Sequence, residues 1–180
     1  SMKANGVCVF QAVGTLRGKA DTGEFLVAAG DKSLTASRII LATGSNAVVP
    51  PIPGVREGLE ADFVLTNREI LALHDAPKTL CCIGGGVIGL EMACYFASIG
   101  TKVIVVEMMP KIAGATDPEI CALLMKTYQK NGMEVHLNAR VQSVTERSVI
   151  YEDADGVHEI SCDKVLLSAG RRANTAGCGL

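Results

Sequence analysis

Tryptophan is absent from this chain of 180 residues, and aromatic residues make up only 4% of it. We therefore expect no stacking platform for bases or sugars. Positive charge is not in excess either, because 17 lysines and arginines face 19 acidic residues, whereas nucleic-acid-binding proteins are usually basic. Hydrophobic residues still make up 48% of the chain, which is enough to build a core. These figures predict a folded protein with no nucleic-acid partner.

Signals for metal binding, secretion and membrane insertion are also missing. The 7 cysteines show no C-x-x-C pair and no zinc-ligand spacing, so we predict no metal site and interpret them as buried small hydrophobic residues. Their odd number suits a reducing compartment, and no secretory leader pattern opens the chain, so we expect a cytoplasmic location. The apolar run over residues 80–100 is long enough to span a bilayer, but the glycines at 84–86 divide it into a strand and a helix. We therefore expect no membrane partner.

The first 53 residues are predicted to form β structure followed by a connector. We expect a strand around residues 7–10, a hairpin that turns at Gly30-Asp31, and a further strand over residues 37–42. Three prolines between residues 50 and 53 exclude regular structure from the connector.

From residue 79 onwards, strands alternate with helices. In chain order, the predicted elements are a strand over 80–83, a helix over 87–98, a strand over 103–106, a helix over 118–131, a strand over 133–137, a hairpin turning at Asp155-Gly156 and a strand over 165–167. This order predicts an α/β fold, with a Rossmann-like doubly wound parallel sheet and an antiparallel β-meander. On the second helix, the residues expected to face inward are Ile120, Leu123, Leu124 and Tyr128.

Residues 84–89 carry the strongest functional signal. Gly84-Gly85-Gly86-Val87-Ile88-Gly89 matches the pattern G-x-G-x-x-G between a predicted strand and a predicted helix. The first glycine permits a tight turn, the third residue lets a pyrophosphate approach the backbone, and the last glycine lets the helix lie close to the strand. The helix N-terminus offers free N–H groups and a positive dipole to the phosphates. The pattern predicts a dinucleotide site, and a glycine-rich turn without a ligand is the alternative.

Two acidic residues extend this prediction. Glu107 ends the next strand, 18 residues after Gly89, where a carboxylate can accept hydrogen bonds from the adenosine ribose. A carboxylate repels a 2′-phosphate, and the next arginine along the chain is Arg140, so the sequence favours NAD over NADP. Glu91, in an otherwise apolar helix, is either an acid favoured by the helix dipole or a partner for a nicotinamide amide or a flavin-side lysine. No spaced acid or nucleophile pairs with the histidines, which we interpret as surface or sheet residues: His74, His136 and His158.

Four segments then occur in a fixed order: residues 39–45 (IILATGS), 84–91 (GGGVIGLE), Glu107 and 168–172 (SAGRR). This order resembles the flavin-dependent pyridine nucleotide–disulfide oxidoreductases and, within that family, the dihydrolipoamide dehydrogenases. The resemblance implies a fold of the FAD/NAD(P)-binding type and two cofactors. It implies that NAD is held by Gly84, Gly85, Gly86, Val87, Ile88, Gly89, Glu91, Glu107, Val141 and Gly170. It implies that FAD lies along Thr43, Gly44 and Ser45, with Gly14 near its adenine end.

The resemblance also implies a domain organisation and a reaction. Residues 1–53 correspond to the end of an FAD-binding domain, residues 54–168 to a NAD-binding domain, and residues 169–180 to the start of a return to the FAD-binding domain. The family's first FAD loop and its C-x-x-x-x-C redox disulfide are not in this sequence, so we assign no catalytic residue and expect the chain alone to be inactive. In the parent protein, electrons would pass from a dithiol through FAD to NAD, in a homodimer that serves a 2-oxoacid or acetoin dehydrogenase complex.

Other functions share some of these motifs. An NADH oxidase or a coenzyme-A disulfide reductase of the same superfamily stays open as an alternative. A non-catalytic NAD-binding module is a second alternative, although such a module does not need the flavin-facing segment Thr43-Gly44-Ser45. A short-chain dehydrogenase needs a Tyr-x-x-x-Lys pair, and none of the 3 tyrosines has a lysine at that spacing.

Overall fold

The computed structural model describes residues 2–180 and divides the chain into two compact units. The first unit runs to Asn46 and includes Ala173–Leu180, and the second covers Ala47–Arg172. The glycine motif and Glu107 lie in the second unit, so this unit determines the geometry of the predicted dinucleotide site.

The first unit is built on a three-stranded antiparallel sheet. Its strands are β1 (Gly14–Lys19), β2 (Phe25–Ala29) and β3 (Lys32–Ala36), and β4 (Ser45–Ala47) follows. The predicted hairpin is confirmed, because Ala29 pairs with Lys32 across a turn in which Gly30 has a φ of 64°. Glycine adopts this left-handed conformation without strain.

The strands predicted around residues 7–10 and over residues 37–42 are wrong. Neither segment has strand structure, and apolar side chains in both are exposed, Val9 to 62% and Ile40 to 92%. A β-strand is held by hydrogen bonds to a neighbouring strand. Within residues 2–180, no strand pairs with either segment. The apolar pattern therefore lacks the partner that strand formation requires.

The second unit contains a five-stranded parallel sheet, with the order β5-β12-β6-β7-β8, and a three-stranded antiparallel sheet, β11-β10-β9. In chain order its elements are α1 (Val55–Glu60), β5 (Val64–Leu65), β6 (Thr79–Ile83), α2 (Val87–Ser98), β7 (Lys102–Val106), α3 (Pro118–Lys130), β8 (Glu134–His136), β9 (Arg140–Val144), β10 (Ser148–Asp153), β11 (Gly156–Ser161) and β12 (Lys164–Leu167), with β13 (Arg171–Ala173) after them. A 3₁₀ turn over Ile70–Ala72 lies between β5 and β6.

Side chains of the parallel sheet alternate between two cores. On β6, Leu80 and Cys82 belong to the cluster that contains Ala93 and Phe96 of α2. Cys81 and Ile83 belong to a second cluster, with Val149 of β10. The antiparallel β-meander therefore covers one face of the parallel sheet, and α2 covers the other. The predicted α/β fold, a parallel sheet with helices and an antiparallel meander, is confirmed.

The inward face predicted for α3 is partly wrong. Ile120 and Leu123 are 50% and 62% exposed, whereas Cys121 is buried. Cys121 packs in a cluster with Leu124, Met125 and Tyr128. Positions 121, 124, 125 and 128 form a continuous stripe at helical spacing, so the predicted face was rotated by about one residue.

Burial of the cysteines follows the prediction only in part. The buried thiols are those of Cys81, Cys82, Cys121 and Cys162, whereas Cys8 and Cys94 are exposed. Cys94 lies on the outer side of α2, and Cys8 lies in the segment that has no strand partner. Burial raises the pKa of the Cys82 thiol to about 12. No helix in the described part of the chain is long and apolar enough to cross a membrane.

Candidate functional site

The loop from β6 to α2 requires glycine at its first position. Gly84 has a φ of 104°, and a Cβ built there would lie 2.6 Å from the carbonyl oxygen of Ser168. Other residues rarely adopt this φ, and the carbonyl belongs to backbone that cannot move aside cheaply. The Ser168 hydroxyl lies 2.8 Å from the carbonyl oxygen of Gly84 and donates to it, which joins the loop to the end of β12.

Gly89 allows α2 to lie against the loop and the sheet. A Cβ on Gly89 would lie 2.4 Å from the carbonyl oxygen of Gly84 and 2.5 Å from Oγ of Ser168. Both distances are too short for a carbon atom, so only glycine permits this approach. The role expected for the last glycine of the motif agrees with this geometry.

Gly86 is free of such contacts. It is the N-cap residue of α2 and has no side-chain cap, and a Cβ built on it would meet no atom within 4 Å. The first N–H groups of a helix have no partner within the helix. The space above Gly86 is therefore open to a ligand that accepts hydrogen bonds and carries negative charge.

Glu107 holds the glycine loop with its carboxylate. Oε2 accepts a hydrogen bond from the N–H of Gly85 at 2.6 Å, and Oε1 accepts one from the N–H of Met109 at 2.7 Å. The carbonyl oxygen of Gly85 accepts from the N–H of Ala113 at 2.8 Å. The carboxylate is half-buried, and each of its oxygens keeps a further lone pair for a ligand hydroxyl.

These features open onto a cavity of about 720 Å³. Of the residues predicted to hold NAD, the cavity is lined by Gly84, Gly86, Glu107, Val141 and Gly170. A smaller cavity of about 190 Å³ is lined by Gly86, Val87, Ile88 and Gly170, among others. The structure thus brings together residues that are up to 86 positions apart in the sequence, from Gly84 to Gly170.

Three predicted NAD residues lie outside the cavity walls. Gly85 and Gly89 are buried beneath the loop, where they allow close packing. Glu91 is exposed on α2 and lines neither cavity, so its carboxylate needs no buried partner. Glu91 lies beyond the first turn of α2, which contains no acidic residue, so neither of its two interpretations gains support from the structure.

The residues predicted for FAD lie in the first unit. Gly14 begins β1 and Ser45 begins β4. Gly44 has a φ of 76°, and its carbonyl oxygen accepts from the N–H of Asn174 at 3.0 Å. The carbonyl oxygen of Thr43 accepts from Nδ2 of the same asparagine at 3.3 Å. These four residues line neither of the two cavities.

The structure adds cavity walls that the sequence did not indicate. The proline connector contributes Pro50, Pro51, Ile52 and Pro53, and the start of β9 contributes Arg140 and Gln142. Prolines predict only an irregular connector, and the exposed polar residues of β9 match no motif. Contacts between distant segments create these walls, and no local pattern carries that information.

His136 and His158 lie on strands, as predicted, but the expectation that no acid pairs with them is wrong. Nε2 of His136 lies 2.9 Å from Oε1 of Glu134, and its Nδ1 lies 3.1 Å from the hydroxyl of Tyr151. Nε2 of His158 lies 2.8 Å from Oδ1 of Asp153. Glu134 and His136 lie two residues apart on β8, and Asp153 and His158 lie on the two strands of the β10–β11 hairpin. No group of three or more metal-binding side chains occurs within residues 2–180.

Comparison with known proteins assigns this chain to a family. The sequence matches the pyridine nucleotide-disulphide oxidoreductase family over residues 1–179. The chain belongs to this family. The resemblance drawn from the four segments is therefore confirmed.

Curated relatives agree with this assignment. The chain is 39% identical to a dihydrolipoyl dehydrogenase of Acholeplasma laidlawii over 176 residues, which cover 98% of this chain and 51% of the relative. It is 33% identical to a dihydrolipoyl dehydrogenase of Cupriavidus necator over 183 residues, which cover 99% of this chain and 38% of the relative. The chain therefore spans about half, or less, of the length of these relatives.

Solved structures share the fold. The Cu(II) complex of the HOCl-induced flavoprotein disulfide reductase RclA from Escherichia coli superposes with a TM-score of 0.73 at 26% identity, over 93% of this chain and 37% of the other. LpdA from Mycobacterium tuberculosis superposes with a TM-score of 0.79 over 99% of this chain and 39% of the other. The identity with LpdA is 24%, so this likeness shows the fold alone.

Proposed function

We propose that the second unit binds NAD and that the protein belongs to an oxidoreductase of the dihydrolipoyl dehydrogenase type. One observation carries the nucleotide assignment. The glycine loop, the uncapped start of α2 and the carboxylate of Glu107 open onto the same cavity of about 720 Å³. A pyrophosphate fits the open space above Gly86, where the helix dipole and N–H groups favour negative charge.

In this proposal each part of the site has one task. The N–H groups at the start of α2 bind the pyrophosphate, and Glu107 orients the adenosine ribose by accepting hydrogen bonds from its hydroxyls. Val141 and Gly170 line the same cavity. When bound, NAD supplies a hydride acceptor.

The domain boundaries and the flavin assignment are part of the same proposal. Residues 54–168 form the NAD-binding domain, and residues 1–53 and 169–180 belong with FAD, whose ligands would be Gly14, Thr43, Gly44 and Ser45. Family membership supports the flavin assignment, and the relatives named dihydrolipoyl dehydrogenase support electron transfer from a dithiol through FAD to NAD. A homodimer that serves a 2-oxoacid or acetoin dehydrogenase complex in the cytoplasm completes the proposal.

Titration of the chain with NADH and NADPH by nucleotide fluorescence tests the assignment. We expect NADH to bind more tightly, because the carboxylate of Glu107 repels a 2′-phosphate. The substitution Glu107→Ala should weaken NADH binding by about 1–2 kcal/mol, the scale of a hydrogen bond to a charged group. Glu146→Ala is the matched control, because Glu146 is exposed in the turn between β9 and β10 and lines neither cavity. Equal or tighter binding of NADPH by the unmodified chain would refute the proposal.

The alternative functions differ in the electron acceptor. An NADH oxidase or a coenzyme-A disulfide reductase would use the same nucleotide cavity, so NADH binding alone does not separate them from the proposal. The relatives reported above favour the dihydrolipoyl dehydrogenase type. In the whole protein, reduction of NAD by dihydrolipoamide would support it, whereas oxygen consumption with NADH as sole donor would favour the oxidase.

A further inference from the structure

Two adjacent methionines follow Glu107 in the chain. Met108 lines the cavity of about 720 Å³ and is 62% exposed. Met109 is 54% exposed, but it lines neither cavity. The proposed function assigns no task to either thioether. The two side chains therefore share their chemistry and a similar exposure, and they differ in whether they form part of the cavity wall.

The other methionines of the chain lack this combination. Met133 is buried in the core, and Met92 and Met125 are half-buried and pack against hydrophobic clusters. Met2 is exposed, but it lies in the first unit and lines neither cavity. Of the 6 methionines, all of which the structure describes, Met108 is the one that is exposed at the wall of the proposed nucleotide site.

The backbone at Met108 is held without help from the side chain of this residue. The N–H of Glu107 donates to the carbonyl oxygen of His136 at 2.8 Å, and the N–H of Met109 donates to Oε1 of Glu107 at 2.7 Å. The carbonyl oxygen of Met109 accepts from the N–H of Asn138 at 3.1 Å. Within the described part of the chain, Met108 belongs to none of the three hydrophobic clusters. A chemical change at its sulfur should therefore alter the cavity wall and leave the fold in place.

An exposed thioether reacts with peroxides. The sulfur attacks one oxygen of hydrogen peroxide, the O–O bond breaks, and an S–O bond forms. The sulfur loses two electrons, and the peroxide gains them. The second oxygen leaves as hydroxide and takes the proton of the transferred hydroxyl group, so the products are water and methionine sulfoxide. The reaction replaces a flexible apolar side chain by a polar, chiral one.

Such an oxidation changes how the cavity wall meets a nucleotide. The same wall contains apolar side chains, among them Ile52, Val106 and Val141. In the free chain, water solvates the sulfoxide oxygen because Met108 is exposed. A nucleotide bound against this oxygen displaces the water, and a buried polar group without a hydrogen bond costs free energy. The added oxygen also takes space from the cavity, so both effects weaken binding.

We propose that Met108 is a site of reversible oxidation by peroxides, and that its sulfoxide weakens nucleotide binding in this cavity. The inference rests on the proposed nucleotide function and adds redox regulation to it. Methionine sulfoxide reductases reverse the reaction. A dithiol becomes a disulfide, the sulfoxide oxygen leaves as water, and the thioether is restored.

The experiment compares the unmodified chain with Met108→Leu and Met109→Leu. Leucine has nearly the volume of methionine and carries no sulfur. Met109→Leu is the matched control, because it removes an exposed thioether from the same loop but not from the cavity wall. Each form is treated with hydrogen peroxide and then with dithiothreitol, which reduces sulfenic acids and disulfides at the exposed Cys8 and Cys94 but leaves sulfoxides. Peptide mass spectrometry locates the added oxygen, and titration with NADH measures binding before and after treatment.

In the unmodified chain and in Met109→Leu, treatment should weaken NADH binding by about tenfold, and in Met108→Leu by less than about twofold. Incubation with the methionine sulfoxide reductases for both epimers of the sulfoxide should restore binding. The melting temperature of each form should change by less than about 2 °C on treatment, because the oxidised side chain is not part of the core.

Three results overturn the inference: a Met108 that stays unoxidised when Met2 has reacted, an oxidised Met108 with unchanged NADH binding, or an equal loss of binding in Met108→Leu. Failure of the untreated, unmodified chain to bind NADH refutes the proposed function, and the inference falls with it. The titrations before and after treatment therefore distinguish the two failures.

Discussion

Alanine substitution at two glycines of the motif should separate nucleotide binding from folding. At Gly89, a Cβ would lie 2.4 Å from the carbonyl oxygen of Gly84 and 2.5 Å from Oγ of Ser168. Relief requires α2 to shift away from the carbonyl oxygen of Gly84, and the hydroxyl of Ser168 must move as well. Overpacking of this kind costs about 1–3 kcal/mol, and the helix propensity gained over glycine returns up to about 1 kcal/mol. We expect Gly89→Ala to lower the free energy of unfolding by about 1–2 kcal/mol.

At Gly86 the same change meets no atom within 4 Å, and φ is −74°, which alanine adopts freely. A lost N-cap preference and a less flexible unfolded chain nearly cancel, so the free energy of unfolding should stay within about 0.5 kcal/mol. The new methyl group, however, fills the space proposed for the pyrophosphate. We expect Gly86→Ala to weaken NADH binding by at least about tenfold, or about 1.4 kcal/mol.

Urea unfolding and NADH titration of both variants measure the two effects independently. The urea midpoint should fall in Gly89→Ala and stay nearly constant in Gly86→Ala. Unchanged NADH binding in Gly86→Ala would refute the placement of the pyrophosphate. A stable Gly89→Ala variant would show that α2 can shift at little cost, which contradicts the packing argument.

Three further outcomes are expected. Because Ile40 is 92% exposed in an apolar segment without a strand partner, the chain should self-associate, and light scattering should show this. The substitution Ile40→Ser should reduce the self-association. A strict monomer at high concentration would contradict the prediction. The hydroxyl of Thr66 donates to Glu69 and lowers the pKa of that carboxyl below its usual 4.5, so this contact stabilises the folded chain above about pH 4.5 and is lost as the pH falls further. The difference in melting temperature between the unmodified chain and Thr66→Val should therefore shrink at low pH. A difference that does not change with pH excludes the contact as its cause. The purified chain should be colourless and should not reduce NAD with dihydrolipoamide, even with added FAD, because no cysteine pair in it has the spacing that relays electrons to a flavin; a flavin absorbance band or turnover would contradict this.

The local parts of the site could be predicted from the sequence because each has a short-range cause. A glycine at the first position follows from a turn that needs a φ of 104°, and Glu107 follows from the end of the next parallel strand. The helix over 87–98 depends on neighbouring residues only. Such signals are contained in a window of a few residues.

Strand formation at residues 37–42 failed as a prediction because its cause is not local. The apolar run has the composition of a buried strand, yet Ile40 is exposed and no strand within residues 2–180 pairs with the segment. Apolar composition tells which segments would gain from burial, but hydrogen bonds to a neighbour decide whether a strand forms. The same distinction explains the pair of His158 with Asp153, which depends on the hairpin of β10 and β11.

The cavity wall at residues 50–53 shows how a distant contact shapes the proposed site. The N–H of Val144 donates to the carbonyl oxygen of Pro53 at 2.9 Å, which ties the connector to the end of β9. Gly54 has a φ of 81°, and a Cβ built on it would lie only 1.7 Å from the carbonyl oxygen of Val144. A larger residue would therefore push the connector away from β9. Because the connector and the start of β9 both line the cavity, Gly54 influences the width of the cavity that we propose as the nucleotide site.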